Sequence, residues 1–409
     1  NAAAAFFFFF LIAREAAAML LEEAPFLTTI NRGLQDEFQK SQNGFQVGDT
    51  VYVTIPPNFK VFDGAVFAGG GNAPDIKEKK IPLKLDTQKH VPFTLTAVEK
   101  ALSMNDENLA RRVLRPAINN LGAMIQADVI KRATLATYNL VGTPGTTPNS
   151  TKTINHVRGV MEQFLAPDKS RTMLLSTDTN IEITDATKNL LNPNKAISDQ
   201  FINGYMNSGF TFDMFECQSL YTHTNGSKVT GVTVSGAGQS GTTLAIGGLT
   251  AGDTIKAGSV FTVPGVYAVH PLTGIPYPKL RQFVVTQDFT ATGATGSISI
   301  SPEIVLPSAT VLGNVSAGPA SGAALSFVGA ASASYLQNLA YHENAFAFAC
   351  AKLPILTGCE GYVANVNGIS LRVQKGGDFT NDRESTRIDA FYGFAPVGDR
   401  ADHACRLTQ

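Results

Sequence analysis

Between Leu109 and Ile130 the apolar positions fall three and four residues apart: Leu109, Val113, Leu114, Ile118, Leu121, Ile125, Val129 and Ile130. That spacing draws one stripe down a helix and predicts a long helix over Ser103–Tyr138. Ser103 offers a side-chain oxygen to a free backbone N–H, and Asp106 and Glu107 suit the positive helix end. Arg111, Arg112, Arg115, Asn119, Asn120, Gln126, Lys131 and Arg132 fill much of the remaining surface. At ~1.5 Å per residue the helix spans roughly 50 Å. Pro116 removes one helix hydrogen bond at a cost of ~3 kcal/mol. The stripe keeps its phase through Arg115-Pro116-Ala117, which predicts a kink; a pair of helices meeting at the proline is the alternative.

Before this helix, Leu11–Glu23 reads as a short amphipathic helix with Ile12, Ala16, Met19 and Leu20 on one side, ended by Pro25. Residues Thr28–Gln46 are polar and expected to be extended or loop-like. Val47–Ile55 alternates Val51, Val53 and Ile55 with Thr50, Tyr52 and Thr54, and Lys80–Leu102 alternates again, so both read as strands. Pro56–Glu78, with Gly69-Gly70-Gly71 and Pro74, separates them. The expectation is a long two-stranded hairpin, roughly 33 Å for ten residues. A lone ribbon is marginal in water, so it must lie on a neighbouring subunit or on its own domain.

After the Gly/Pro/Thr loop Val141–Thr153, helix and strand patterns mix. Ile154–Leu165 is helical, Arg171–Thr177 a strand, Asp178–Leu191 a capped helix, Ser198–Tyr205 a short helix and Phe210–Leu220 a strand. At His223 the composition changes. From there to Ser334 the charged residues are Lys228, Asp253, Lys256, Lys279, Arg281, Asp288 and Glu303 alone. The runs VTGVTVS, TTLAIG, SVFTV, RQFVVT, GSISISP and ALSFVG, divided by Gly and Ser, predict an all-β sandwich or barrel. Its flanks are α/β in character, so it reads as an insertion. Tyr335–Cys350, Gly361–Gln374, Ser385–Phe394 and Cys405–Leu407 are further strands.

The chain of 409 residues has room for two or three domains, and its formal charge of −1 supplies no basic field for nucleic acid. Charged residues are 16% of the total, well below the usual ~25%. So little charge implies a surface covered by subunit contacts, or a β-rich secreted protein. Cys217, Cys350, Cys359 and Cys405 show no CxxC spacing, which fits a reducing compartment better than zinc or a disulfide scaffold. No apolar run reaches the ~18 residues of a membrane span. The opening NAAAAFFFFF lacks the basic n-region of a signal peptide and carries no functional motif.

Catalytic signatures are missing too: no GxxxxGK[ST], HExxH, GxSxG or strand-linked GxGxxG appears. His342-Glu343 near Cys350 is the nearest approach to a thiol dyad, yet FAFAC places Cys350 in an apolar strand. Asp378, Asp382 and Glu384 do not fit a calcium loop. Basic residues do not interleave with aromatics as in a nucleic-acid reader. Arg111, Arg112 and Arg115 suit a solvated helix face or inter-subunit ion pairs better than a polyanion site. No catalytic, cofactor or metal residue is assigned.

The order of elements nevertheless resembles a known family. An arm helix (AREAAAMLLEE), a VGDTV strand, a long helix with a central LRPA, an interrupted α/β region and C-terminal strands follow one another. With PLTGIPYPKLRQFVVT (Pro271–Thr286), LAYHENAFAF (Leu339–Phe348) and Ile388–Arg406, they resemble the major capsid protein of tailed bacteriophages. The resemblance is to the Johnson capsid fold with an inserted immunoglobulin-like β domain. It implies an α+β chain in which 1–44 is an N-terminal arm and 45–102 an extended β-hairpin loop. Residues 103–154 would be the spine helix and peripheral domain, 155–222 and 334–368 the axial domain, 223–333 the inserted all-β domain. Residues 369–409 would return to the peripheral domain. It implies no enzyme and no cofactor, and hexamers and pentamers of the chain in an icosahedral shell around double-stranded DNA. A portal protein, a scaffolding protein, a possible decoration protein and nonspecific contact with packaged DNA are the implied partners, with no membrane. The implied location is the virion capsid, assembled in the bacterial host cytoplasm. Some members of the wider fold cross-link a lysine to an asparagine; Lys77, Lys79 and Lys80 lie near the ribbon, but no partner is identified. A nanocompartment shell of the same fold, or less well a secreted β-rich surface protein, is the alternative.

Overall fold

A computed structural model describes residues 24–32, 50–55, 59–62, 78–96, 115–187, 208–308, 311–366, 368–378 and 383–409. In chain order the first elements are α1 (Pro25–Thr29), β1 (Thr50–Ile55), β2 (Lys79–Lys84), β3 (Thr87–Thr96), α2 (Arg115–Ala136) and β4 (Leu140–Val141). Next come α3 (Thr151–Gln163), β5 (Arg171–Leu175), α4 (Thr177–Thr187), β6 (Ser208–Gly209), β7 (Phe212–Glu216) and β8 (Thr222–Thr224). The inserted region holds β9 (Thr233–Val234), β10 (Gly241–Gly247), β11 (Thr254–Ile255), β12 (Val260–Val269), β13 (Pro276–Val285), β14 (Phe289–Thr290), β15 (Thr295–Ile304) and β16 (Ser326–Phe327). The chain closes with β17 (Ser334–His342), β18 (Phe346–Ala351), β19 (Glu360–Val366), β20 (Ile369–Asp378), β21 (Arg383–Pro396) and β22 (Ala404–Thr408). It divides into two compact units, Asn1–Val53 with Pro82–Ile130 and Phe346–Ala395, and Thr54–Ile81 with Lys131–Ala345 and Pro396–Gln409.

Along α2, Ile118, Leu121, Ile125, Val129 and Ile130 are buried, as the stripe requires. The Ser103 cap, Leu109–Leu114 and the approach to Pro116 lie outside the described residues. So do the arm helix, the Gly69–Asp75 tip and Ser198–Tyr205. Pro25 begins α1, where its missing N–H costs nothing in a first turn; the helix it was expected to end lies outside the described residues.

The first unit contains a sheet in which β21 is flanked by β20, which leads on to β19, and by β3. β3 pairs with β21 from Thr87↔Tyr392 to Thr96↔Arg383. Among the described residues β1 pairs only with β2, and β3, from the second half of the alternating stretch, joins a larger sheet. That partner removes the instability of a lone ribbon. Gly361–Gln374, expected as one strand, is a β19–β20 hairpin turning at Gly368, whose φ of 90° favours glycine. β18 also belongs to this sheet, and the two compact units divide between Ala345 and Phe346. Phe346 packs on Phe26 and Phe394 at ring-centroid distances of 6.2 and 5.5 Å. Asp389 is fully buried and accepts hydrogen bonds from Arg372 at 2.8 and 3.1 Å, from Arg387, and from Gln88 at 3.2 Å.

In the second unit a seven-stranded sheet runs β4-β22-β17-β5-β7-β6, with β8 also on β17. β22 therefore lies inside this sheet, between β4 and β17. Ser150 caps α3, accepting from Lys152 N at 3.2 Å, and Ile154, Val157 and Met161 pack against Met173, Leu175, Met214 and Leu407.

Besides a separate two-stranded sheet, β11-β14, the inserted region forms a six-stranded antiparallel sheet, β16-β12-β13-β15-β10-β9. Its two edges meet: Val234 N donates to Ala323 O and Leu325 N to Val232 O, both at 2.9 Å, with a bridge at Thr233↔Ala324. An immunoglobulin-like sandwich has two facing sheets. This sheet instead closes on itself as a small barrel. Irregular pairing of β12 between Thr262 and Tyr267, around Gly265 at φ 82°, bends the strand round the closure. Leu244, Ile246, Phe261, Val263, Phe283, Val285, Ile298 and Ile300 fill the interior.

Candidate functional site

Among the described residues, none of those considered for chemistry forms a reactive centre. Cys350 Sγ donates to Ser370 O at 3.3 Å, and burial pushes its thiol up to about 11, so it is held as a thiol. His342 Nδ1 accepts from Asn344 N at 3.2 Å. Glu384 pairs with Lys375, Asp378 is in backbone register with Arg383 on the β20–β21 ladder, and Asp382 lies outside the described residues. Among the described residues no group of three or more His, Cys, Asp or Glu is placed to hold a metal ion. Nor, among them, is any helix long and apolar enough to cross a membrane. Arg115 is exposed, whereas Arg111, Arg112 and Lys77 lie outside the described residues. Lys79 pairs with Glu303 at 2.7 Å, and Lys80 is exposed.

The concentration of polar order lies where the barrel is seated on the seven-stranded sheet. Alternate residues of a strand face opposite ways. Phe283 and Val285 of β13 therefore enter the barrel core, while Val284 joins Val260, Tyr138 and Ala401 in a separate apolar cluster beneath it. Gln282 reads Leu140 as a strand would, its Oε1 accepting from Leu140 N at 2.8 Å and its Nε2 donating to Leu140 O at 2.9 Å. Tyr277 donates its hydroxyl to Gln163 O at 3.0 Å.

Two buried arginines pin this seat. Arg281 reaches Asp402 at 2.7 Å, with its guanidinium 4.4 Å from the Phe164 ring centroid and 5.2 Å from that of Tyr138. Burial alone would lower its basicity; Asp402 and Tyr138 more than offset this and hold it above its ordinary value. Arg406, on β22, donates to Thr137 O at 2.6 Å and to Gly258 O at 2.9 Å. Burial pushes its guanidinium down to about 9, Cys405 and Tyr221 opposing weakly. Nearby, His223 Nε2 lies 3.1 Å from Asn225 Oδ1, and Asn225 Nδ2 donates to Val328 O and Ala330 O at 3.0 Å. That fixes the amide and puts the imidazole proton on Nε2. Burial first, and Arg406 second, hold His223 down to about 4.

The connections into and out of the barrel form a neck: Thr224 pairs with Ser334, Asn225 N donates to Ala333 O and Ser332 N to Gly226 O, each at 3.0 Å. Sequence reasoning missed this seat. Its one signal was an arginine inside each of two otherwise buried strands, RQFVV and ACRLT.

The family described as P22 coat protein, gene protein 5, matches residues 34–399. A solved structure from Mycobacterium phage Che8 is similar over 93% of this chain and 90% of its own, at 11% identity and a TM-score of 0.47. The capsid of cyanophage P-SCSP1u is similar over 89% and 84%, at 11% identity and a TM-score of 0.41. The CUS-3 coat protein I-domain is 26% identical over 25% of this chain and 96% of its own, with a TM-score of 0.19. A search of curated proteins found no match.

Proposed function

Because the chain belongs to the P22 coat protein family, it is a major capsid protein that self-assembles into the icosahedral virion shell, and we propose that it does so as hexamers and pentamers around double-stranded DNA. It is structural and not an enzyme. The observation that carries the reading is the family match across residues 34–399, which also disfavours the nanocompartment and secreted-protein alternatives. Assembly takes place in the bacterial host cytoplasm, with a scaffolding protein guiding closure, a portal protein at one vertex, and packaged DNA touched without sequence preference. A decoration protein is compatible with the same shell.

Within this reading residues 1–44 serve as the arm and the β1–β2 segment as the extended loop. α2 is the spine. The sheet of β3 and β18–β21 is the peripheral domain, the seven-stranded sheet with α3 and α4 the axial domain, and 223–333 the inserted domain. Exposed Tyr52, Phe59, Val61 and Phe62 in and after β1 support a loop that a neighbour covers. Symmetry repeats each contact, so interfaces of modest area suffice.

Negative-stain electron microscopy of the purified protein, with a co-expressed scaffolding candidate, tests the proposal. Closed shells of uniform size are expected. A monodisperse monomer at all concentrations, with scaffold present, overturns it.

A further inference from the structure

Two adjacent residues of the neck have no substitute, and side by side they make a chemically fragile pair. Asn225, 4% exposed, uses both ends of its amide: Nδ2 donates to Val328 O and Ala330 O at 3.0 Å, and Oδ1 accepts from His223 Nε2 at 3.1 Å. Aspartate, the residue of the same shape, has no donor to offer those two carbonyls when ionised. At the next position a Cβ on Gly226 would stand 2.1 Å from Thr254 O, so only glycine fits. The fold therefore demands Asn-Gly at 225–226.

Asn-Gly is open to deamidation, because glycine leaves its own backbone nitrogen unscreened and lets the chain turn freely. The Gly226 nitrogen attacks Asn225 Cγ and a new C–N bond forms; the Cγ–Nδ2 bond breaks, and ammonia leaves. Water then opens the succinimide ring at either carbonyl, giving aspartate or isoaspartate with nothing oxidised or reduced. In the folded neck the amide is held from both sides. The backbone beside it is tied as well, by Asn225 N to Ala333 O and by Ser332 N to Gly226 O, each at 3.0 Å. Either product undoes this arrangement. Aspartate sets a carboxylate oxygen against Val328 O and Ala330 O, acceptor against acceptor. Isoaspartate adds a carbon to the main chain between Thr224, which pairs with Ser334, and Gly226.

We propose that Asn225-Gly226 is a deamidation site that the folded neck closes, so that a chain left unfolded loses the amide that seats its barrel. The neck thereby sets a covalent limit on how long a subunit can wait to fold. This holds whatever the chain assembles into, because residues of one subunit alone take part. The conversion also reaches His223. A carboxylate at 225 favours the charged imidazole beside it, where the neutral amide does not.

The test incubates the full chain at mildly alkaline pH with and without urea and follows each Asn-Gly peptide by mass spectrometry. Asn43-Gly44, Asn203-Gly204 and Asn367-Gly368 calibrate the rate in urea. There Asn225 is expected to convert alongside them. In the folded chain its rate is expected to fall by about tenfold or more, since the reaction waits on local opening. Equal rates at Asn225 in the two states overturn the proposal, and so does an Asn225 that stays intact in urea while the others convert. The consequence is read on Asn225→Asp, the defined product. Its thermal midpoint at pH 7 is expected to lie below that of the unaltered chain, with the gap narrowing towards about pH 5 as the carboxylate holds a proton on His223. An unchanged midpoint shows that the seat does not need the amide, and a gap that ignores pH counts against the contact with His223. Failure of this variant to fold at pH 7 is the extreme of the expected loss, and the two rates on the unaltered chain still decide the proposal.

Discussion

Protonating His223 disturbs the barrel seat at one atom. The ring is buried, its Nε2 proton is committed to Asn225, and Arg406 stands close enough to oppose a second positive charge. Burial is the larger cause and Arg406 the next, and together they bring the folded-state value from 6.5 to about 4. Between those values the unfolded chain binds a proton that the folded chain refuses. Stability from this group is therefore complete above about pH 6.5 and is lost as pH falls to about 4. At about 1.36 kcal/mol per pK unit, the loss reaches about 3 kcal/mol at pH 4. The comparison is with His223→Gln, whose amide N–H can still donate to Asn225. Urea unfolding followed by circular dichroism from pH 7 to pH 4 measures both proteins, which share every other titrating group. The unaltered chain should lose about 3 kcal/mol more than the variant over that range. Parallel stability curves would refute the buried, neutral histidine.

Asp389→Asn keeps the shape of the β21 side chain but strands Arg372, whose side chain is 6% exposed, without its carboxylate. Breaking one partner of a buried pair costs about 3–5 kcal/mol, so a urea midpoint shift worth less than about 1 kcal/mol would contradict it. Gly226→Ala places a Cβ 2.1 Å from Thr254 O inside the neck. The overpacking should cost about 1–3 kcal/mol or more and lower the thermal midpoint, and an unchanged midpoint would mean that the neck yields freely.

What could be read in advance follows from the range of the interactions. The α2 stripe and the six alternating runs of the inserted region depend on side chains a few residues apart, and each run lies on one of the barrel strands or overlaps its ends. A period of two announces a strand without naming its partner. Thr87–Thr96 was legible as a strand, but its partner lies almost three hundred residues away, at Arg383–Tyr392. The choice between sandwich and barrel hung on bonds between Val232–Val234 and Ala323–Leu325, which no local pattern encodes. Arg281 and Arg406 were harder still. An arginine inside a strand usually marks a solvated face. Only the folded chain brings Asp402 to one, and the carbonyls of Thr137 and Gly258 to the other.

The seat also explains why the barrel keeps one orientation on the seven-stranded sheet. Val260 and Val284 serve the lower cluster while Phe261 and Phe283, their immediate neighbours, fill the barrel. A slip of one residue would exchange the two sets and bury each in the wrong core. Rotation without a slip would break the Gln282–Leu140 pair and the Arg281–Asp402 contact, leaving a buried guanidinium unpaired. The barrel therefore leaves folding with its direction already set. Because His270 and Gly274 lock the hairpin tip onto that frame, Leu272 and Ile275 face one fixed way. A subunit that repeats through a closed shell needs such fixed directions, since an angular error at one contact recurs at every symmetry-related copy.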